Sequence, residues 1–276
     1  MNHRNNGARA YDLVAIDVDG TLLNSQGELS AGIESALQAV RERGITVSLV
    51  SGRGRQALMP LLRRLELDGP YVAAEGAYIA DPSNGKVIAC RTLAWRDAVK
   101  IVEMARAAQL SVFFESPEWW AGEINPRQRE WLQSRTEKVE VTLVNDLLQH
   151  APGELTKISL LGDSETLAQV EGQIRQCDWQ LQIMYPSPTC LDICQSGVSK
   201  GTGLQRLASY LHIPLQRIAA IGDYYNDLSM LEIAGLAVAM GNSPPELKLA
   251  ADAIAPTNDE GGVAWALHKL VLGTTI

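Results

Sequence analysis

The sequence is poor in cysteine and contains no long apolar run. No segment approaches the roughly 20 apolar residues of a membrane-spanning helix, and the first ten residues are polar, unlike the apolar centre of a signal peptide. These absences predict a soluble, cytoplasmic protein with no membrane partner. The cysteines fit no zinc or redox spacing and are expected to be buried thiols: Cys90, Cys177, Cys190 and Cys194.

The sequence also lacks an excess of positive charge. Its 24 basic and 32 acidic side chains give a formal net charge of −8. This balance argues against nucleic acid or an acidic membrane surface as the main partner. With 46% hydrophobic residues in a chain of 276, a sizeable core can be buried, and we expect two such cores.

Two aspartates follow a short apolar run near the N-terminus. Leu13–Ile16 is typical of a strand buried on both faces, and Asp17, Asp19 and Gly20 follow it. Side chains two apart on a strand point the same way, so both carboxylates are expected at the end of the strand where open α/β sheets bind ligands. A turn cap would account for one aspartate only. Because two carboxylates this close repel each other unless a cation intervenes, the stretch predicts a divalent metal site.

Strands and helices alternate on both sides of the central part of the chain. Apolar spacing predicts a helix through Ile33, Leu37 and Val40, capped by Ser30, followed by a strand over residues 45–50. Further core elements are predicted as strands over residues 70–74, 218–221 and 236–240 and as helices over residues 200–211 and 261–270. Residues 1–80 and 196–276 are therefore predicted to form a doubly wound, parallel α/β sheet.

Residues 81–195 interrupt this alternation. The segment "DPSNGK" over residues 81–86 signals a hairpin. Strand-like runs follow over residues 111–115, 157–161, 180–185 and 190–194, with helical stretches over residues 96–109 and 164–177. We predict an inserted α+β domain with one sheet and about two helices. Our hypothesis is that it forms a mobile lid that closes over the Asp17 strand end and selects the substrate.

The polar residues at the predicted strand and helix ends suit phosphoryl transfer. That chemistry needs a nucleophile, neutralisation of the phosphoryl oxygens and a proton for the leaving oxygen. Asp17 and Asp223 suit direct ligation of Mg²⁺, and the backbone carbonyl of Asp19 could add a third oxygen. Ser51 could donate a hydrogen bond to a phosphoryl oxygen, and Lys200 would supply positive charge opposite the metal.

Four segments carry a family resemblance. In chain order they are "DVDGTLL", "SGR", "GVSKG" and "GDYYND", and they resemble the four signatures of the haloacid dehalogenase superfamily phosphatases. The large insertion resembles the α/β cap of the Cof-type subfamily. The resemblance implies that Asp17 is a nucleophile forming an aspartyl-phosphate, and that Asp19 acts as general acid and then as general base.

The resemblance also implies roles for the remaining motif residues. Ser51, Gly52 and Lys200 are expected at the phosphate. Asp17, Asp19 and Asp223 are expected on Mg²⁺, with Asp227 in the outer shell of the metal. Asn226 is expected to contact the substrate or to orient Lys200.

Two positions depart from the family pattern or stay open. Many members carry Asn-Gly-Ala after the third strand, whereas this chain has Glu75 there, which could alter the substrate contact or pair with the arginine of "SGR". Tyr224 and Tyr225 fill the variable places of the last motif, either reshaping the pocket mouth or simply packing. Trp119 and Trp120 in the insertion favour packing over a substrate platform, without excluding it.

These observations predict a Mg²⁺-dependent phosphatase of small phosphorylated metabolites, such as a sugar phosphate, a nucleotide or a cofactor phosphate. Two alternatives use the same acceptor chemistry. One is a phosphotransferase or mutase that forms the same intermediate, and the other is a phospho-accepting signalling switch. Asp19, placed to serve a leaving group, and the insertion both favour turnover over signalling.

Overall fold

The computed structural model describes residues 10–126, 141–150 and 154–274. The strands of these residues are β1 Leu13–Ile16, β2 Thr46–Leu49, β3 Tyr71–Ala73, β4 Tyr78–Asp81, β5 Lys86–Cys90, β6 Ser111–Glu115, β7 Trp120–Glu123, β8 Thr142–Leu143, β9 Lys157–Leu161, β10 Leu181–Ser187, β11 Cys190–Gln195, β12 Ile218–Gly222, β13 Leu236–Ala239 and β14 Ala253–Ile254. The α-helices are α1 Ile33–Glu42, α2 Arg55–Arg64, α3 Trp95–Ala107, α4 Leu147–His150, α5 Ser164–Arg175, α6 Lys200–Leu211, α7 Leu228–Leu231, α8 Pro245–Ala250 and α9 Gly262–Ala266, which continues into a π-turn over Leu267–Leu272.

A parallel five-stranded sheet in the order β14-β13-β12-β1-β2 forms the centre of the core. Its central strand β1 is buried on both faces. Val14 and Ile16 pack in the apolar cluster that contains α1 and α9, whereas Leu13 and Ala15 pack in the cluster that contains α6. Helices thus cover both faces of the sheet, and the predicted doubly wound α/β core is confirmed.

The core sheet is extended by an antiparallel hairpin. Val50 bridges Val72 in parallel beside β2, and β3, β4 and β5 then pair antiparallel in sequence order. The hairpin predicted around residues 81–86 is confirmed as the β4–β5 turn. Ile79 of β4 lies in a core apolar cluster, with Ile88 and Ala89 of β5 packed against it. The division of the chain at residues 80 and 81 stays a prediction, and β4 runs across it.

The described part of the insertion is a six-stranded sheet with helices on one face. The strand order is β10-β11-β9-β6-β7-β8, and the pairs are antiparallel except for β7 with β8. Helices α3 and α5 supply Ile101 and Val170 to an apolar cluster with Phe114, Ile158 and Leu191 of the sheet. The insertion is therefore the predicted α+β cap, with its own hydrophobic core.

Local predictions fared unevenly. The core strands and α6 lie within one residue of their predicted bounds at each end, and the second and third strands are each two residues shorter than expected. The predicted cap at Ser30 is wrong, because Gly32 in the left-handed region (φ 79°) precedes α1 and the Ser30 hydroxyl donates to the Asn258 carbonyl at 2.6 Å. The four cysteines are free, but only Cys194 is buried, and Cys90 on β5 is exposed. None of the described helices has the length and apolar character needed to cross a bilayer.

Candidate active site

Three carboxylates converge at the C-terminal edge of the core sheet. Asp17 follows β1 and Asp223 follows β12, and these strands are neighbours with Ile16 opposite Ile221. One oxygen from each of Asp17, Asp223 and Asp227 lies within 4.8 Å of the others, so the group could hold a metal ion. The cluster arises because parallel neighbouring strands end at the same edge of a sheet.

Lys200 joins two of these carboxylates. Its Nζ donates to Asp17 Oδ1 and to Asp227 Oδ1, each at 2.6 Å, and the side chain is buried. The residue opens α6, whose start is fixed by a capping box between Ser199 and Thr202. Burial alone would lower the pKa of the Lys200 ammonium, but the charges of the two aspartates outweigh it and raise that pKa well above its usual value.

The three aspartates differ in how many protein donors they accept. Asp227 accepts Lys200 on one oxygen and the backbone N–H groups of Asp223 (2.9 Å) and Tyr224 (3.1 Å) on the other. Both Asp227 oxygens therefore accept hydrogen bonds from the protein, as expected for a residue in the outer shell of a metal site. Asp17 accepts Lys200 on Oδ1, which leaves its second oxygen as the better placed metal ligand.

Thr21 and Asn242 orient Asp223, and sequence reasoning assigned neither of them a role. The Thr21 hydroxyl donates to Asp223 Oδ1 at 3.0 Å. Asn242 donates to Asp223 Oδ2 at 3.2 Å and to the Gly20 carbonyl at 2.9 Å, tying the two strand-end loops together. Thr21 is part of the first motif, so the sequence could have identified it. Asn242 lies in the loop after β13, outside all four motifs.

Burial and mutual repulsion disfavour the charged form of these acids. Burial, and next the charge of Asp227, raise the pKa of Asp17 well above its usual value. The same two causes raise the pKa of Asp223 to about 7. A bound cation would reverse this balance, because opposite charge stabilises the carboxylates. Oxygen donors of this kind are the ligands that hard divalent cations prefer.

Asp19 is not part of the three-carboxylate group and pairs with Arg53. The Arg53 guanidinium donates to both Asp19 oxygens, at 2.8 and 2.5 Å. Two features of Gly20 show why the turn after Asp19 requires glycine. It adopts φ 79°, and a Cβ there would lie 2.3 Å from Asp223 Oδ2. The Asp19 side chain is 58% exposed, so it can reach a substrate that enters from outside.

A cavity of about 410 Å³ lies between the core and the cap. The predicted site residues that line it are Asp17, Asp19, Gly52, Lys200, Asp223 and Asn226. The other two, Ser51 and Asp227, are fully buried beside it, and the Ser51 hydroxyl accepts the Arg53 backbone N–H at 3.1 Å. The structure thus brings all eight predicted site residues to one edge of the sheet.

Glu75 reaches the same region from the short helical turn Ala74–Gly76 that follows β3. Its carboxyl is fully buried, and its Oε1 accepts a hydrogen bond from Asn226 Nδ2 at 3.0 Å. A Cβ on Gly52 would lie 2.2 Å from that oxygen, so only glycine fits there with this carboxyl in place. Burial raises the pKa of Glu75 to about 7, with the Lys200 charge opposing the rise. The acid therefore contacts Asn226, and Arg53 contacts Asp19.

Of the four aromatic residues whose roles the sequence left undecided, two line the cavity and two do not. Tyr224 lines the cavity, whereas Tyr225 is half exposed and donates to Glu246 at 3.1 Å. Trp120 lines the cavity, and Trp119 packs against the cap core.

One face of the cap sheet closes the cavity, and sequence reasoning did not identify its residues. They occupy every second position of their strands: Phe113 and Glu115 on β6, Lys157, Ser159 and Leu161 on β9, and Cys190 and Asp192 on β11. The sequence signal for this face was the presence of charged residues at every second position of strands that are otherwise apolar.

Comparison with known proteins identifies the family of the chain. The family model of the haloacid dehalogenase-like hydrolases matches residues 14–267. The putative phosphatase YxeH of Bacillus subtilis is 30% identical over 269 residues, covering 95% of this chain and 99% of the relative. The 5-amino-6-(5-phospho-D-ribitylamino)uracil phosphatase YcsE of the same organism is 30% identical over 264 residues, covering 94% and 96%. A crystal structure of a haloacid dehalogenase-like hydrolase from Bacteroides thetaiotaomicron matches with a TM-score of 0.82 at 31% identity, covering 93% of this chain and 98% of that chain.

The chain therefore belongs to the haloacid dehalogenase-like hydrolases. This membership confirms the resemblance drawn from the four motifs, and it makes the protein a hydrolase whose relatives are named phosphatases.

Proposed function

We propose that this protein is a Mg²⁺-dependent phosphatase of small phosphorylated metabolites that works through an aspartyl-phosphate on Asp17. The observation that carries the proposal is the placement of Asp17 in the cavity wall, held by Lys200 at 2.6 Å and grouped with Asp223 and Asp227 within 4.8 Å. A relative named for a phosphorylated ribityl compound supports a small-molecule substrate. Membership of a hydrolase family favours hydrolysis over phosphotransfer or signalling.

Mg²⁺ would be held by Asp17, Asp223 and the backbone carbonyl of Asp19, and it would supply charge neutralisation at the phosphoryl oxygens. Lys200 supplies positive charge beside Asp17, and the Ser51 hydroxyl, buried beside the cavity, would donate to a phosphoryl oxygen. Gly52, which lines the cavity in the loop after β2, would contact the phosphate through its backbone. Together these groups orient the phosphoryl group for in-line attack.

The proposed reaction has two displacements. In the first, an Asp17 oxygen attacks phosphorus, the ester P–O bond breaks, and Asp19 gives its proton to the leaving oxygen. In the second, Asp19 takes a proton from a water molecule. That water attacks phosphorus, and the bond to Asp17 breaks to release phosphate. For both transfers Asp19 must exchange its contact with Arg53 for the substrate or water.

A phosphate-release screen tests the proposal. Sugar phosphates, nucleotides and cofactor phosphates are assayed with Mg²⁺ and with EDTA, using the full chain. Asp17→Asn should abolish turnover, because a neutral amide is a poor nucleophile and a weaker metal ligand. Asp68→Asn, which changes an exposed aspartate of the core, is the matched control and should stay active.

Two readouts separate the parts of the proposal. Mg²⁺ should raise the melting temperature of the wild type more than that of Asp17→Asn, independently of activity. Substantial phosphate release by Asp17→Asn would contradict the aspartyl-phosphate, and full activity in EDTA would contradict the metal requirement.

A further inference from the structure

The cap sheet carries a buried lysine that the proposed chemistry does not use. Lys157 on β9 lies opposite Glu115 on β6, and its Nζ is 3.4 Å from Glu115 Oε2 and 3.0 Å from Asp192 Oδ2 on β11. Burial alone would lower the pKa of the Lys157 ammonium, but the charges of Asp192 and Glu115 outweigh it and raise that pKa well above its usual value. The buried ammonium therefore stays charged.

This ammonium reaches across to the core loop after β2. Lys157 Nζ donates to the Gly52 carbonyl at 2.5 Å. Together with the contacts to Asp192 and Glu115, this bond uses all three N–H donors of the ammonium. Lys157 also lines the cavity, but its donors are directed to protein acceptors. The core loop, rather than a direct contact with a substrate, is therefore the route by which Lys157 can act on the reaction.

The Gly52 carbonyl differs from its two neighbours in the origin of its partner. The Ser51 carbonyl accepts the backbone N–H of Glu75 at 3.1 Å, and the Arg53 carbonyl accepts that of Ala74 at 2.8 Å. Both of these partners belong to the core. Among the described residues, the partner of the Gly52 carbonyl comes from the cap. The middle peptide of the loop is therefore held by the cap.

The same peptide plane contacts the Ser51 hydroxyl. The Arg53 N–H, which belongs to the Gly52–Arg53 peptide, donates to Ser51 Oγ at 3.1 Å. Carbonyl and N–H lie on opposite sides of a trans peptide, so a rotation that breaks the bond to Lys157 also moves the N–H away from Ser51. A hydroxyl has one donor and two acceptor positions, and the Arg53 N–H occupies one of the acceptor positions. This bond therefore restricts the directions in which the hydroxyl can donate.

We propose that Lys157 is a positioning residue for phosphoryl transfer: its ammonium fixes the Gly52–Arg53 peptide, and this peptide orients the Ser51 hydroxyl toward the phosphoryl group. The proposal rests on the phosphatase function proposed above and deepens it, because it makes a cap residue part of the support of the phosphate site. Glu115 and Asp192 contribute to the same support by holding the ammonium in place.

A double-mutant cycle with Ser51 tests this route. Lys157→Met should lower kcat/KM for p-nitrophenyl phosphate by about tenfold to a hundredfold, the range for a hydrogen bond to a charged group. When Ser51→Ala is already present, the same change should lower kcat/KM by less than about threefold, because the hydroxyl through which Lys157 acts is gone. The control is Lys100→Met, an exposed lysine on α3 of the cap, which should leave kcat/KM unchanged.

Two further measurements separate this role from a contact with the leaving group or with the proton donor. Orthovanadate carries no leaving group, and its inhibition constant should rise in Lys157→Met by about the factor by which kcat/KM falls. Glycerol 3-phosphate, whose leaving oxygen needs a proton, should lose as much kcat/KM as p-nitrophenyl phosphate. A loss confined to glycerol 3-phosphate would place the effect on Asp19 through Arg53 and overturn the inference.

Because Lys157→Met leaves two buried carboxylates without their cation, thermal melting checks that the variant folds. If it does not fold, the neutral triple variant Glu115→Gln, Lys157→Met, Asp192→Asn replaces it with the same expected losses. Equal losses with and without Ser51→Ala overturn the inference while leaving the phosphatase standing, and so does full activity of the Lys157 variant. Absence of Asp17-dependent hydrolysis of both esters by the wild type overturns the proposed function itself.

Discussion

Replacing Glu75 by glutamine should stabilise the metal-free protein at pH 8 and have little effect at pH 5. The wild-type carboxyl is fully buried, and its Oε2 has no hydrogen-bond partner among the described residues, so ionising it in the folded state is unfavourable. Burial raises its pKa from 4.5 to about 7 despite the nearby Lys200 charge. Glutamine keeps the shape and the acceptor for Asn226 but cannot ionise.

The sign of the effect follows from proton binding. Below pH 4.5 the carboxyl is protonated in both states and costs nothing. Between pH 4.5 and about pH 7 the unfolded chain releases the proton while the folded protein keeps it, so wild-type stability falls as the pH rises. Above pH 7 the loss is complete, at about 3 kcal/mol for this rise in pKa. The glutamine variant escapes that loss.

Urea unfolding in EDTA at both pH values measures the difference. We expect Glu75→Gln to exceed the wild type by about 3 kcal/mol at pH 8 and by less than about 1 kcal/mol at pH 5. Asp17 and Asp223 titrate in both proteins and cancel in the comparison. Glu232→Gln, an exposed glutamate of the core, should change neither value by more than about 0.5 kcal/mol. A difference that is the same at both pH values would refute a protonated Glu75 in the folded protein.

Two further changes test the general acid and the contact between cap and core. Asp19→Asn should slow turnover by about 10²–10⁴-fold for alkyl phosphates and less for p-nitrophenyl phosphate, whose leaving group needs no proton; equal losses in a steady-state assay of both would exclude this role. Gly54→Ala should raise KM, since the new Cβ displaces Glu115 and hence the cap, although φ −72° suits alanine. The same change at Gly172, whose Cβ would meet nothing within 4 Å, should leave KM unaltered and so serves as the control.

The catalytic edge was predictable from the sequence because parallel sheets impose it. Buried parallel strands read as short apolar runs, and polar residues directly after them must meet at one edge. This reasoning placed Asp17 and Asp223 together, and the structure groups them with Asp227. Helix α6 was predicted over its full length, and the structure shows that a local capping box between Ser199 and Thr202 fixes its start.

Other features depend on contacts between distant residues and left no local signal. Asn242 orients Asp223 from 19 positions away, and nothing in its neighbourhood marks it. The short strands β8 and β14 have two residues each, too few for a period to show. Ser30 had the residue type of a helix cap, but its hydroxyl bonds to Asn258, which is 228 positions away. In each case tertiary contacts outweigh local preference.

The loop after β2 connects the cap to the residues proposed for proton transfer. Gly52 accepts Lys157 of the cap through its carbonyl, and Gly54 lies under Glu115, while Arg53 between them holds Asp19. The cap therefore touches this core loop on both sides of the arginine that holds the proposed proton donor. A Cβ at Gly52 would collide with the Glu75 carboxyl, and a Cβ at Gly54 would collide with the Glu115 carboxyl. Both positions therefore require glycine for the cap and the core to pack this closely. Because Gly54→Ala displaces the cap without touching Arg53, a fall in kcat for alkyl but not aryl phosphates in that variant would show that cap position controls proton transfer. A rise in KM with kcat unchanged would instead confine the contact to binding.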